Sequence, residues 1–286
     1  MKSFVIKTNK NKIINYLLKK LENSSFENIY FISKEFKCYK NVIVHYLGVN
    51  INEFLGFLSD LITETILIYY EPVLLRKFIN FNYFYFDNVE KEIIEQNCYK
   101  YIILEENKTL KYRRDEIFNS VIHYIYENKS IILEGFVNFR LANYMTTLNE
   151  IVDYSANEYV IDKEYNEFIS LLKIYVKSKA STVQMVHLVY TNGESILLDE
   201  EKNVIDLKDN VFNAKYLSDI SFSSNDFALN ALLTLLPKSL EIHIVLGFED
   251  EFINTLKLIF GNRVSICTDC NICRTYKILN NVNKKI

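Results

Sequence analysis

Tryptophan is absent from this chain, and glycine and proline are scarce, with 6 and 2 residues among 286. Few positions can therefore supply the positive φ or the fixed φ of a tight turn, and we expect long elements and few such turns. The glycines stand apart from one another, so the sequence lacks a phosphate-binding loop and a dinucleotide-binding fingerprint. These absences argue against kinases, P-loop hydrolases and Rossmann enzymes.

Catalytic signatures are missing as well. The sequence contains neither His-Glu-x-x-His, which marks a zinc protease, nor Gly-x-Ser-x-Gly, which marks a hydrolase nucleophile. Its four histidines lie in apolar runs, where a histidine is usually a satisfied core or edge residue. The sequence points to no reaction, and it leaves open whether the protein is an enzyme.

The net charge and the hydropathy of the chain indicate its cellular location and its partners. The net charge is −3 and the isoelectric point is near 5.9, which argues against nucleic-acid binding. The N-terminus lacks the apolar stretch of a secretory signal, and no apolar run approaches the roughly 20 residues of a membrane span. We therefore expect a cytoplasmic protein with reduced thiols and no membrane association. The basic run at residues 108–114 resembles a charged linker.

Residue patterns predict an α+β fold. Short strands are expected at residues 3–8, 28–36 and 41–47, and mainly helices follow up to about residue 179. Asn50 with Glu53, and Asp87 with Glu90, have the spacing of capping boxes at helix starts. These features define a mainly helical N-terminal region with a small sheet, residues 1–180.

The pattern changes after residue 181. A β-branched run, an Asn-Gly pair at residues 192–193 and a second apolar run predict a β-hairpin. Two strand–helix alternations follow, with a final strand at residues 263–266. The sequence therefore predicts a small α/β domain, residues 181–286, that ends in a cysteine-rich segment.

That segment carries the most informative motif of the chain, Cys267, Cys270 and Cys273. Cys-x-x-Cys spacing lets two thiolates reach one soft cation, and a third thiol at the same spacing suits zinc or an iron–sulfur cluster. His187 or His243, on neighbouring predicted strands, could supply a fourth ligand, with Cys98 as a more distant choice. A redox dithiol and an ordinary C-terminal turn without metal are the alternatives.

A second unusual stretch covers residues 133–141. Glu134 and Arg140 flank two phenylalanines there, and the simplest interpretation is a buried or interfacial ion pair. The other interpretation is that Arg140 serves a ligand or a partner.

Residues 134–141, the acidic helical run through Glu150 and residues 164–168, the turn at residues 197–201 and the cysteine-rich end resemble the YtxC family of sporulation proteins. The resemblance covers more than half of the chain, counted from its C-terminus. It implies an intracellular sporulation-associated protein that acts through contacts with a protein partner, and it supplies no catalytic residue. The cysteine cluster supports the alternative of a metal-binding enzyme or regulator.

Overall fold

The computed structural model describes residues 2–36, 39–104, 109–205, 223–267 and 269–283. Within these ranges the fold is α+β, with ten α-helices and two four-stranded sheets, which confirms the predicted fold class. The chain divides into two compact units, Met1–Ile161 and Asp162–Ile286. Each unit encloses a hydrophobic core of its own.

The first unit contains a mixed sheet. Its strands are β1 (Lys2–Thr8), β2 (Ile29–Phe36), β3 (Tyr39–Tyr46) and β4 (Ser130–Ile132). They are ordered β2-β3-β1-β4, with β1 antiparallel to β3 and parallel to β4. The first three strands were predicted from their residue patterns. β4 was not predicted, because three residues are too few to show a period.

Seven helices begin in the described part of the first unit. They are α1 (Asn11–Glu22), α2 (Ile51–Tyr69), α3 (Glu71–Asn82), α4 (Asn88–Leu104), α5 (Thr109–Glu127), α6 (Leu133–Arg140) and α7 (Ala142–Ser178). The side chain of Asn50 accepts a hydrogen bond from the backbone N–H of Glu53, as predicted for the start of α2. Before α4, Asp87 and Glu90 each accept a hydrogen bond from the backbone N–H of the other, which confirms the second capping box.

The basic run at residues 108–114 is not a linker. Lys108 lies outside the described residues, and α5 begins at Thr109. Arg113 turns into the core of the first unit, where its Nε lies 2.9 Å from Oε2 of Glu71. The hydroxyl of Tyr144 donates to the same oxygen at 2.7 Å. The arginine is therefore used inside the unit and not on a solvated face.

The second unit contains the other sheet. Its strands are β5 (Met185–Thr191), β6 (Glu194–Leu198), β7 (Ser239–Leu246) and β8 (Val264–Cys267). They are ordered β6-β5-β7-β8. β5 and β6 form the predicted hairpin, and Asn192 and Gly193 take the positive φ values, 50° and 86°, that its turn requires. β5, β7 and β8 are parallel.

Helices cover both faces of this sheet. They are α8 (Ser224–Leu235), α9 (Glu251–Phe260), α10 (Asn271–Asn283) and the 3-10 helix Gly261–Arg263. One face packs its apolar residues with those of α8 and α9 in the main core. On the other face, Val189 and Val245 pack with Ile272 of α10. α10 was not predicted, and it covers the face on which the candidate site lies.

The division between the units falls inside α7, after Ile161. Ile169 and Val176, on the later part of this helix, are buried in the core of the second unit. The predicted boundary at residue 181 lies just beyond the end of α7. Independent folding of a fragment from that boundary stays a prediction.

Membrane-spanning helices were not expected. Within the described part of the chain, no helix combines the length and the apolar character that a membrane crossing requires.

Candidate metal centre

Three neighbouring strands carry polar side chains on one face of the second sheet. His243 of β7 is in register with Cys267, the last residue of β8. His187 of β5 is in register with Glu241, which precedes His243 by two residues on β7. Residues paired across parallel strands, and residues two apart on one strand, point to the same face. All four side chains therefore lie on the face that α10 covers.

The start of α10 supplies two further thiols. Cys270 precedes the helix and Cys273 lies in its first turn. The backbone N–H of Cys273 points to Sγ of Cys270 at 3.5 Å, so the sulfur occupies the place of an N-cap side chain. The sequence predicted a simple turn over residues 268–272, of which Thr268 lies outside the described residues. A helix here instead directs both sulfurs back toward the sheet.

These residues bring four ligand atoms together. Sγ of Cys273 lies 3.6 Å from Sγ of Cys270 and 4.0 Å from Sγ of Cys267. Nδ1 of His243 lies 3.4 Å from Sγ of Cys270 and 3.6 Å from Sγ of Cys273. The three sulfurs and this nitrogen all lie within 4.8 Å of one another.

Such spacing suits a single ion. Zn–S bonds near 2.3 Å in a tetrahedron place neighbouring ligands about 3.8 Å apart, close to the separations seen here. Three cysteines and one histidine are a complete ligand set for a closed, structural zinc site. An iron–sulfur cluster distributes its ligands over several iron atoms and requires wider separations.

Burial limits access of water to the site. His243 is 1% exposed and Cys273 is fully buried, while Cys267 and Cys270 are half-buried. A cation held by these atoms would be largely enclosed by protein, which favours a structural centre over a catalytic one with an open position.

The thiols differ in their tendency to ionise. Burial raises the pKa of Cys267 to about 12, and contact with Cys270 contributes to that rise. Burial also raises the pKa of Cys273. At Cys270 burial acts in the same direction, but the hydrogen bond from the Cys273 backbone N–H and contacts with the neighbouring thiols outweigh it and lower the pKa. Cys270 is therefore the first thiolate available to a cation.

His243 is prepared to bind in its neutral form. Burial lowers the pKa of His243, against the opposing effect of the Glu241 carboxylate. A neutral imidazole keeps a free lone pair on one nitrogen, which is the form that coordinates a metal.

The other nitrogen of His243 faces a second group. Its Nε2 lies 3.0 Å from Nδ1 of His187 and 3.6 Å from Oε2 of Glu241. His187 Nδ1 lies 3.1 Å from the same carboxylate oxygen. Of the two histidines offered as a fourth ligand, the structure thus brings His243 to the thiols and places His187 behind it.

Cys98 lies elsewhere. It is fully buried in the core of the first unit and is not among the four converging ligand atoms. Burial raises the pKa of its thiol to about 11. Its surroundings are those of a packed core residue.

The structure gives Glu134 and Arg140 different partners. Oε1 of Glu134 accepts hydrogen bonds from Oγ1 of Thr8 at 2.7 Å and from the hydroxyl of Tyr70 at 2.8 Å. The guanidinium of Arg140 lies 6.0 Å from the centre of the Tyr124 ring, and the residue is exposed. Glu134 thus ties the start of α6 to β1 and to the end of α2, without the ion pair expected from the sequence. A ligand- or partner-binding role of Arg140 stays a prediction.

Glu241 was not singled out from the sequence. A single glutamate on a strand usually lies at the surface, and the Glu241 side chain is 32% exposed. The available signal was its position two residues before His243, which puts both on one face of a strand.

Comparison with known proteins assigns the chain to a protein family. The sequence model of the YtxC-like family matches residues 56–265, most of the chain. The match includes His187, Glu241 and His243 and ends two residues before Cys267. A protein of Bacillus subtilis (strain 168) named "Uncharacterized protein YtxC" is 30% identical over 78 residues, which cover 27% of this chain and 28% of the relative. No solved structure matches the chain.

Proposed function

The chain belongs to the YtxC-like family, and we propose that it is a zinc-binding member in which a Cys3His centre fixes the C-terminal helix to the second sheet. The ligands are Cys267, Cys270, Cys273 and His243. The observation that carries the proposal is the convergence of their four ligand atoms within 4.8 Å.

Zinc fits this ligand set better than the alternatives. The atoms form a single-ion site, which argues against a multi-iron cluster. A redox dithiol requires two exposed, paired thiols, whereas here a third sulfur and an imidazole approach the same point. Zinc has no redox chemistry of its own and accepts a tetrahedron of sulfur and nitrogen ligands.

The role of the ion follows from what it would join. Cys267 ends β8, His243 lies on β7, and the remaining two sulfurs belong to the start of α10. Apart from Ile272 and Cys273, the described part of α10 buries little, and Ile278 is 65% exposed. Apolar burial alone therefore holds α10 weakly on the sheet, and bonds to a metal ion would strengthen that attachment, as in other small metal-stabilised elements.

Metal analysis of the full chain tests the proposal. Protein purified under reducing conditions should carry one zinc per chain. Cys270→Ser and Cys273→Ser should each lose most of it, whereas Cys98→Ala, a matched control in the other core, should keep it. Protein that holds no metal after exposure to zinc, or variants that bind it as tightly as the wild type, would contradict the proposal.

We also propose, on the family membership, that the protein acts in sporulation through contacts with a protein partner in the cytoplasm. Three neighbouring aromatic residues support a contact surface: Phe81, Phe84 and Tyr85 are 80%, 74% and 64% exposed. Exposed apolar groups of this kind mark interaction sites more often than isolated ones do.

Genetics in the organism that carries the gene tests this second proposal. Deletion should reduce the number of heat-resistant spores, and the wild-type gene should restore it. Phe81→Ser with Phe84→Ser should fail to restore it while leaving the melting temperature unchanged. Normal spore numbers in the deletion strain would remove the sporulation role and would leave the zinc centre untouched.

A further inference from the structure

We propose that Glu241 and His187 form a second layer of the centre that holds the proton of His243 on Nε2 and so leaves Nδ1 free for the metal. The inference rests on the proposed zinc site and deepens it, because it names positioning residues that lie outside the four ligands. Their contacts with His243 involve only the nitrogen that faces away from the thiols.

The His243 ring carries a single ring proton when it is neutral. That proton lies on one nitrogen and a lone pair on the other, and the groups that face the two nitrogens decide which is which. Nδ1 of His243 faces Sγ of Cys270 and Sγ of Cys273 at 3.4 and 3.6 Å. To bind a metal together with those sulfurs, Nδ1 must be free of its proton, and the proton must sit on Nε2.

Glu241 supplies one acceptor for that proton. A carboxylate only accepts hydrogen bonds, so it favours an N–H on the nitrogen of His243 that faces it. Its Oε2 lies 3.6 Å from Nε2 of His243 and 3.1 Å from Nδ1 of His187. At 3.6 Å the carboxylate attracts the N–H on Nε2 of His243 through its charge, beyond hydrogen-bond distance. A carboxylate behind a metal-bound histidine also makes the ligand nitrogen more basic.

His187 supplies a second acceptor for the same proton. It is 6% exposed, and its Nδ1 lies 3.0 Å from Nε2 of His243, so a neutral ring with its own proton on Nε2 accepts there. His187 and Glu241 are paired in register on adjacent parallel strands, and Glu241 and His243 share β7. The backbone of two hydrogen-bonded strands therefore sets the positions from which the three side chains meet, which is the rigid support that a metal ligand needs.

The same three atoms could in principle receive a second ion, since they too lie within 4.8 Å of one another. His243 would then bridge two metals and would have to lose both ring protons. A single ion requires only a neutral ring. The positioning role accounts for the contacts without that extra deprotonation, and metal stoichiometry separates the two arrangements.

Cobalt(II) is the probe, because its thiolate complexes absorb visible light and report both binding and geometry. The full chain, stripped of metal under reducing conditions, is titrated with cobalt(II) in competition with a chelator. Glu241→Ala should bind about 10–100-fold more weakly than the wild type, and Glu241→Gln should fall between the two. Glu194→Gln, an exposed glutamate on β6, is the matched control and should bind as the wild type does.

An NMR measurement distinguishes a positioning role of Glu241 from a general contribution to stability. In the cobalt(II) protein the proton on Nε2 of His243 should give a strongly shifted, slowly exchanging NMR signal. This signal should exchange faster in Glu241→Ala, whereas a general loss of packing would lower the melting temperature of the metal-free protein without selecting that proton.

The outcomes separate the proposals. A wild-type chain that binds no cobalt removes the zinc centre itself. One cobalt per chain, with equal affinity in Glu241→Ala and an unchanged proton signal, keeps the centre and overturns the positioning role. Two cobalt ions per chain, one of which is lost in Glu241→Ala, overturn it in favour of a second metal position.

Discussion

At the scale of single residues, the first unit holds an ion pair inside its core. The side chains of Arg113 and Glu71 are 4% and 8% exposed, and Tyr144 completes the group. Burial raises the pKa of Glu71, and the charge of Arg113 and the hydroxyl of Tyr144 act against that rise. Burying a charge carries a large desolvation penalty, which only the attraction of a nearby opposite charge offsets. Each member of this pair therefore depends on the other.

Replacing Arg113 with methionine should lower the free energy of unfolding by about 3–5 kcal/mol at neutral pH, because a buried carboxylate loses its partner. Glu71 should then bind its proton still more tightly in the folded than in the unfolded state, and acid favours the state that binds more protons. The difference from wild type should therefore shrink as the pH falls through the folded pKa of the variant and level off below the folded pKa of the wild type, both of which lie above 4.5. Urea unfolding at several pH values measures it.

Arg76→Met is the control for this experiment. Arg76 is 66% exposed in its pair with Glu95, so its loss should cost less than about 1 kcal/mol at any pH. A deficit of the Arg113 variant that stays constant with pH would show that packing, and not the Glu71 charge, causes it.

Glu134 and Arg140 should behave independently. Glu134→Ala leaves Thr8 and the Tyr70 hydroxyl without their acceptor and should cost about 1–3 kcal/mol. Arg140→Ala removes an exposed contact with an aromatic ring and should cost less than about 1 kcal/mol. A double-mutant cycle by thermal unfolding should show no coupling between them. Coupling well above 0.5 kcal/mol, roughly the limit for independent sites, would restore the ion pair expected from the sequence.

At the scale of elements, local signals predicted local structure. Caps, alternation and the Asn-Gly turn predicted α2, α4 and the β5–β6 hairpin, because each depends on residues a few positions apart. β4 depends on pairing with β1, more than a hundred residues away, and three residues give no pattern by themselves. α10 begins at a cysteine cap, which no ordinary capping rule signals.

The candidate metal centre combines local and tertiary features in the same way. The spacing of the three thiols is local, so the sequence could indicate that they converge. The choice between His187 and His243 depends on the register of β7 with β8 and on which ring nitrogen faces the sulfurs. Both are tertiary properties. The role of Glu241 depends on them too, and for that reason it was not foreseen.

The end of α7 leads to a prediction about fragments. A fragment covering residues 162–286 should fold with zinc present, because it keeps Ile169 and Val176 in its core. A fragment covering residues 181–286 loses both buried side chains and should be less stable by about 3–6 kcal/mol, at 1.5–3 kcal/mol for each. Circular dichroism during urea unfolding compares them. Equal stability of the two fragments would place the functional boundary at residue 181.

At the scale of the whole molecule, two separate cores imply two separable responses. Every proposed metal ligand belongs to the second unit. Because a ligand stabilises only the folded structure that binds it, zinc should act on that unit. The family match, residues 56–265, runs through both units, so the sequence similarity does not reduce to either one.

Chelation should therefore change one part of the molecule. With free zinc at a thousand times its Kd, the second unit should gain about 4 kcal/mol over the metal-free state. Hydrogen exchange followed by mass spectrometry should show faster exchange in β7, β8 and α10 after zinc removal, with the helices of the first unit unchanged. Cys98→Ala should respond to chelation as the wild type does. Equal acceleration throughout the chain would show that the two units unfold together.

The positions of the four ligands along the chain also affect how the metal centre can evolve. Three of them lie within seven consecutive positions beyond the family match, while His243 lies on a strand within it. One short deletion at the end of β8 removes all three sulfurs and takes only the last residue of that strand from the sheet. A lineage that undergoes it no longer needs His243 or Glu241, and those positions are then free to drift. Among related chains, the thiols should thus appear and vanish as a single heritable trait, with the strand histidine following them.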